Sequence, residues 1–265
     1  IIAALDKPRE ALPWHEYKKP FVNTDMAKRG NKFWRKHADV LARAEERYGV
    51  PPEIVLGILG VETQYGRNTG RYRVIDALST IALQYPKRAD YFTKQLEEFL
   101  LLARELERDP LALKGSYAGA MGYGQFMPGS YRAYAVDGNG DGKRDLIGNL
   151  EDAIDSIANY FKRHGWTTGA PVISPLQFAA GLTPDAEALA GRSLSLDELK
   201  RYGAGNGTDA DIVANVVRFQ TAAGPEYMLA YPNFETITRY NRSRHYARAV
   251  YELAQLIKRE HESEK

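Results

Sequence analysis

The chain has 265 residues, 44% hydrophobic and 26% charged, a composition that suits a soluble globular protein with ample material for a buried core. A formal net charge of +2, with basic residues interleaved among acids as in ARELERD and LIKREHESEK, excludes charge-driven nucleic-acid binding. The absence of cysteine excludes disulfides, thiol nucleophiles and cysteine-ligated metals.

The opening IIAALDKPRE has neither Met nor a basic leader with a cleavage site, so a removed targeting segment stays open. No apolar run approaches the ~18 residues of a membrane span. Residues 23–49 predict a helix with Phe33, His37, Val40, Leu41, Ala44 and Tyr48 on one face, stopped by Gly49. Pro51 and Pro52 start the next helix, about 52–64, which is apolar on nearly every side, as in a central core helix. RNTGRYRV (67–74) reads as a loop. VIDALSTIALQYP then predicts a helix ended by Pro86, and Tyr91, Phe92, Leu96, Phe99, Leu100, Ala103 and Leu106 mark a longer one stopping at Asp109-Pro110.

Residues 115–130, GSYAGAMGYGQFMPGS, mix small and aromatic residues and end after a Pro-Gly break; DGNGDGKRD follows as a loop. Residues 150–166 predict a helix with Ile154, Ile157, Ala158 and Phe161 on one face. From 167 to 232 glycine and proline become frequent. There VVRFQTA and EYMLAY have strand composition and are joined by Ala223-Gly224-Pro225, which predicts a small β-rich subdomain. After Pro232 the chain returns to helix, and Asn241 or Ser243 caps a last helix carrying Tyr246, Val250, Leu253 and Ile257.

One carboxylate stands out in this pattern. Glu62 closes an apolar run and shares a helix face with Val55, Ile58 and Leu59. Desolvation and the negative helix C-terminus both disfavour the anion there, which predicts a raised pKa and a proton held for acid catalysis. A helix end salt-bridged to Arg67 is the competing reading from position alone. Glycoside hydrolysis ordinarily uses two carboxylates, and Glu62 has no acidic neighbour before Asp76, which leaves room for a one-acid mechanism.

The segment GSYAGAMGYGQFMPGSY carries five glycines that let backbone approach a ligand. Ser116 and Gln125 offer hydrogen bonds to sugar hydroxyl or amide groups, and Tyr117 and Tyr123 offer stacking faces; packing alone also accounts for many of the 17 tyrosines. A dinucleotide loop fits poorly, because Met127 stands where the last glycine belongs. A serine hydrolase fits poorly, because neither Ser116 nor Ser130 lies in G-x-S-x-G. Asp137-Gly-Asn139-Gly-Asp141-Gly142-Lys143 matches the front of an EF-hand loop, with oxygens at positions 1, 3 and 5 and a carbonyl at 7 that suit Ca²⁺. Position 12 is Gly148 rather than Glu, so Glu151 or Asp152 must close the site; a turn without metal is the alternative.

GVETQYGR, GSYAGAMGYGQFMPGSY, DGNGDG, NYFKRHGW and ITRYNRS, in this order, closely resemble the lytic murein transglycosylase B family, over about residues 14–260. The resemblance implies a mainly α (α+β) fold: a goose-lysozyme-like core with an added helical segment, a small antiparallel β subdomain and an EF-hand-like loop. The expected organisation runs from 1–66, with the catalytic helix, through a helical insertion at 67–114 and core at 115–166. A β-rich subdomain at 167–232 and a C-terminal helical part at 233–265 complete it. The implied activity cleaves the β-1,4 bond between N-acetylmuramic acid and N-acetylglucosamine of peptidoglycan and closes a 1,6-anhydro ring, without a catalytic cofactor. Carried over residue by residue, Glu62 is the acid and base, Ser116 and Gln125 hold the acetamido region, and Tyr160, Tyr240, Asn241 and Tyr246 line the cleft. Asp137, Asn139, Asp141 and the Lys143 carbonyl match the family's calcium ligands, with Asp152 as the last. The loop is one residue longer than the family pattern. The resemblance further implies a periplasmic monomer, soluble or with its lipid anchor absent from this chain, with glycan strands as ligand and cell-wall synthases as possible partners. A peptidoglycan-binding protein with an inactive cleft, or a Ca²⁺-dependent regulatory module, are the competing readings.

Overall fold

The computed structural model describes residues 1–2, 11–178, 186–201, 204–205 and 212–264. Helices α1 (Trp14–Tyr17), α2 (Thr24–Lys36), α3 (Ala38–Tyr48) and α4 (Pro52–Thr63) come first. Strand β1 (Tyr72–Arg73), α5 (Val74–Gln84) and α6 (Ala89–Glu105) follow, then β2 (Lys114–Gly115), α7 (Pro128–Tyr134) and α8 (Leu150–Arg163). Next are β3 (Ile173–Pro175), β4 (Gln177–Phe178), α9 (Ala186–Leu189), β5 (Ser193–Leu194), α10 (Leu196–Arg201) and β6 (Ala204–Gly205). Strands β7 (Ala214–Thr221) and β8 (Gly224–Ala230) and helices α11 (Pro232–Tyr240) and α12 (Arg244–Ser263) complete the described chain.

Helix α4 is the centre of the core. Every residue from Pro52 to Gly60 is buried, and α12, α2, α3 and α8 pack around it. Two glycines and several β-branched residues give it poor intrinsic propensity. Burial of Ile54, Val55, Leu56, Ile58 and Leu59, each worth roughly 1.5–3 kcal/mol, is what holds it helical. Gly57 lets α12 approach closely, since a Cβ there would sit 2.6 Å from the Val250 carbonyl oxygen.

The predicted helix 23–49 is two helices. At His37 (φ −125°, ψ 30°) the chain leaves the helix, and its N–H is shared between the Phe33 and Trp34 carbonyls. The break lets α2 lie on α12 while α3 lies on α8, which one straight helix cannot do. Helix α6 stops at Glu105, short of Asp109-Pro110, because the chain turns left-handed at Glu107 (φ 53°). Helix α7 was not expected; Pro128 occupies its first turn, where the missing N–H costs nothing. Ser243 is the cap of α12, its Oγ accepting from Tyr246 N at 3.2 Å. Within 67–74, read as a loop, Tyr72–Arg73 form β1, which pairs with β2, and Val74 begins α5.

The main sheet runs β3-β8-β7-β5, all antiparallel. Alternation along β7 and β8 sends Val216 and Leu229 into a small separate apolar cluster with Leu189, Leu194 and Tyr231, and sends Val217, Phe219 and Met228 into the main core. Arg248 of α12 bolts this sheet down. It is 5% exposed, with its guanidinium 4.5 Å from the ring centroids of both Trp14 and Phe219. It also pairs with Glu226 and Glu252, each at 2.7 Å.

Candidate active site

Glu62 lies in the last turn of α4 and is half-buried. Immediately after it, Gln64 (φ 50°), Tyr65 (φ 62°) and Gly66 (φ 83°) are all left-handed. For Gln64 and Tyr65 that conformation costs about 1–2 kcal/mol each. Local bonds offset the cost. Gln64 N donates to Gly60 O and Tyr65 N to Leu59 O, both at 3.0 Å. The Tyr65 hydroxyl donates to Met26 O at 3.0 Å, its tip seated between Gly30 and Gly60, where a Cβ would come within 2.6 and 2.8 Å. Thr63, fully buried, accepts from Gly66 N at 3.0 Å and donates to Tyr123 O at 2.9 Å. The turn that presents Glu62 is thereby tied to the glycine-aromatic segment.

Tyr246, on α12, donates from its hydroxyl to Glu62 Oε1 at 2.6 Å. Burial, and after it the field of Glu62, pushes the Tyr246 and Tyr240 hydroxyls far above their ordinary range, so both stay protonated donors. Tyr240 donates to Gly124 O and Tyr160 to Arg239 O, both at 2.6 Å. Burial pushes Tyr160 up to about 12. With Phe126 these rings make an edge-to-face cluster, Tyr160 and Tyr240 being 4.9 Å apart. Their hydroxyls are thus committed to backbone, and what they can offer a ligand is ring edge. Asn241 is half-buried at the end of α11, with its carbonyl accepting from Ser243 N.

The segment 115–126 closes on itself through paired bonds between Met121 and Phe126. Ser116 Oγ accepts from Ala118 N and Ala120 N, at 3.3 and 3.0 Å, which leaves its O–H free to donate outward. Gln125, left-handed at φ 51°, donates Nε2 to Thr69 O and Gly122 O, both at 3.0 Å, and its Oε1 has no described donor. Tyr123 is half-buried, with its ring against Gly66. Glu62, Tyr246 and Tyr240 therefore form one group, and Tyr123, Ser116 and Gln125 flank the strand of chain that leaves Glu62. The sequence missed Thr63 and Tyr65. Thr63 is overshadowed in the sequence by Glu62 immediately before it, and Gly60 was a faint signal for Tyr65, whose hydroxyl rests on it.

In the 137–145 loop, Asp137 accepts from the N–H groups of Gly140, Asp141 and Gly142, and Asp141 accepts from Lys143 N. Asn139 exchanges bonds with Asp141 at 3.1 Å. Asp152 is fully buried beneath the loop, accepting from Gly138 N and Asp145 N at 2.9 and 2.7 Å. Burial raises its pKa, against those backbone donors. Glu151 instead pairs with Arg43 at 2.7 Å. The all-oxygen donors fit a hard cation such as Ca²⁺. The carboxylates here turn to backbone N–H, and among the described residues no three acids or histidines gather as a ligand group.

Glu62 thus stands at the end of a buried helix, with a polar and aromatic segment folded against its exit turn. The chain belongs to the transglycosylase SLT domain family, which it matches over residues 1–255. It is 47% identical over 250 residues to the membrane-bound lytic murein transglycosylase B of Escherichia coli K12, covering 92% of this chain and 67% of that protein. The soluble lytic transglycosylase SltB1 of Pseudomonas aeruginosa superposes with a TM-score of 0.89 at 51% identity, covering 98% of this chain and 88% of that one. The Escherichia coli lytic transglycosylase Slt35, solved in complex with calcium, gives 0.87 at 44% identity, covering 98% and 83%. These likenesses fit the expected mostly helical, lysozyme-like fold with its small antiparallel sheet.

Proposed function

We propose that the chain is a lytic transglycosylase that cleaves the β-1,4 bond between N-acetylmuramic acid and N-acetylglucosamine of peptidoglycan, with Glu62 as its sole acid and base. The observation that carries the assignment of Glu62 is the 2.6 Å bond from the buried Tyr246 hydroxyl to Oε1. The Glu62 carboxyl carries the proton. It protonates the glycosidic oxygen, and the N-acetylglucosamine side leaves. Ser116 O–H and Gln125 Oε1 hold the muramic acetamido group, whose oxygen steadies the cation. The Glu62 carboxylate, now basic, takes the proton of the C6 hydroxyl, and that oxygen closes the 1,6-anhydro ring. No water is consumed. Tyr123, Tyr160, Tyr240 and Asn241 form the wall against which the sugar is placed.

Asp137, Asn139, Asp141, the Lys143 carbonyl and Asp152 are read as the seat of a structural Ca²⁺, supported by the buried position of Asp152 and the calcium complex of Slt35. Neutralising these acids is the chemistry the ion supplies. The 167–232 segment is read as a separate subdomain, supported by its own apolar cluster. No helix among the described residues is long and apolar enough to cross a membrane, and the proposed location is the periplasm, where peptidoglycan lies.

The test is product mass from intact sacculi in ¹⁸O-labelled water. Anhydro-muropeptides without label are expected, and Glu62→Gln should abolish their release while the melting curve is kept. Labelled, hydrated products would overturn the transglycosylase reading, and a fully active Glu62→Gln would overturn the residue assignment.

A further inference from the structure

Helix α2 buries Met26, Ala27, Gly30 and Asn31 and packs on α12 and α4. On its other side Lys28, Arg29, Lys32, Arg35 and Lys36 are all exposed. At about 100° per residue these five fall within one arc of about 120°, opposite the buried residues, and span about 12 Å of helix. No acid interrupts the sequence from Lys28 to Lys36, in a chain whose formal net charge is only +2, so charge of one sign is gathered here. Arg35 pairs with Glu264 at 2.8 Å, while Lys28, Arg29, Lys32 and Lys36 hold no acid among the described residues. Glu260 and Glu264 border the Lys28 and Lys32 side, and Asp25 stands in the first turn.

The arrangement works against the helix. Lys28 with Lys32, and Lys32 with Lys36, are like-charged pairs four residues apart, which repel. Arg35 and Lys36 suit the negative C-terminal end of α2, but Lys28, Arg29 and Lys32 lie too far from it to gain. An anion from outside the chain relieves the repulsion. The face is the convex outside of a helix, so it encloses no small anion. Three of its five cations are lysines, point charges on flexible stems that make no demand on partner geometry. Both features suit a flat surface whose anions move sideways to meet the cations, as lipid headgroups do, and each cation near such a surface adds to binding. The fixed carboxylates of a folded acidic partner would call for arginine forks instead.

We propose that the outer face of α2 docks the protein on a membrane surface containing anionic phospholipid, an inference that does not use the peptidoglycan reading above. None of Glu62, Ser116, Gln125, Tyr240 and Tyr246 lies on α2, so docking holds the protein beside the bilayer without entering the proposed chemistry.

The test is co-sedimentation of the intact protein with vesicles of phosphatidylcholine, alone or with about one-third phosphatidylglycerol. At about 0.1 M salt, partitioning should be about ten-fold stronger on the anionic vesicles. At about 1 M salt the screening length falls from about 10 Å to about 3 Å, and the difference should vanish. The variant Lys28→Glu, Lys32→Glu, Lys36→Glu should lose the anionic preference and keep its melting curve. A control with three reversals at other exposed lysines, Lys87→Glu, Lys94→Glu, Lys200→Glu, has the same net charge and should retain the preference. Should the α2 reversal variant fail to fold, Lys28→Gln, Lys32→Gln, Lys36→Gln, which only removes charge, takes its place and should weaken the preference. Equal binding of the intact protein to both vesicles, equal losses in the α2 and control variants, or an α2 variant that binds as the intact protein does would each overturn the proposal. An intact protein that ignores anionic vesicles but loses binding to purified sacculi on α2 reversal would assign the face to wall polymer, which also overturns it. Cleavage of soluble glycan strands should be the same in all these proteins, and a failure of the transglycosylase reading would leave the vesicle result standing.

Discussion

Replacing Tyr246 with Phe removes one O–H and keeps the buried ring, which is 3% exposed. The lost bond is the 2.6 Å donation to Glu62 Oε1. A hydrogen bond to a charged group is worth about 1.5–3 kcal/mol, or roughly 10- to 150-fold. Only the charge developed in the transition state is stabilised, so kcat should fall by less than that, about 5- to 50-fold. The pH profile moves in a defined direction. The donor favours the carboxylate, and without it the carboxylic acid survives to higher pH, so the alkaline limb should move up by about 1–2 units. The assay is release of soluble muropeptides across pH 4–9, quantified by mass spectrometry, beside a melting curve at each pH. An unchanged kcat with an unmoved limb would refute the role given to Tyr246. A limb moving downward would refute the sign of the argument.

Three other predictions follow from charge and burial. Burial raises Asp155 to about 6 against the attraction of Arg47, 2.9 Å away. The native state then keeps a proton that the unfolded chain releases above about pH 4, so stability is present below that and is lost as pH rises through 6. Asp155→Asn should cancel about 1–3 kcal/mol of this dependence, and parallel melting-temperature profiles for both proteins between pH 4 and 7 would exclude it. Adding a chelator should lower the melting temperature, leaving specific activity at low temperature nearly intact, and Asp137→Asn should abolish the chelator's effect; an unchanged melting curve counts against a structural ion. Arg248→Ala should destabilise by about 2–4 kcal/mol in denaturant titration, because Trp14, Phe219 and two carboxylates lose one shared partner, and a loss under 0.5 kcal/mol would show that the sheet is held otherwise.

Periodicity made α4, α8 and α12 legible because each presents a continuous apolar face, and Val250, Leu253 and Ile257 are fully buried as that face requires. It could not show the break at His37, since both halves keep the same period and only their different packing partners separate them. Pro128-Gly129 read as a break for the same local reason that makes proline a good first residue of α7. Within the site, Glu62 was visible as an acid in an apolar run. Tyr246 was visible only by resemblance, because its partner is 184 positions away. The preference for Asp152 over Glu151 likewise came from the resemblance; in the structure Asp152 accepts from the loop's N–H groups and Glu151 pairs with Arg43.

In the role proposed for it, Glu62 gives a proton and then takes one, and cannot be tuned far in either direction. Burial beside the apolar face of α4 favours the acid, and the Tyr246 donor favours the anion. The two act on one carboxyl and through different atoms, which lets both forms be accessible in one turnover. The left-handed turn at Gln64–Gly66 follows directly on that carboxyl. It fixes the end of α4 through Thr63 to the Tyr123 carbonyl and through Tyr65 to the Met26 carbonyl, so the backbone beneath Glu62 is held on both sides. The strain in that turn is therefore the counterpart of the role proposed for Glu62: an acid that acts alone must be placed rigidly.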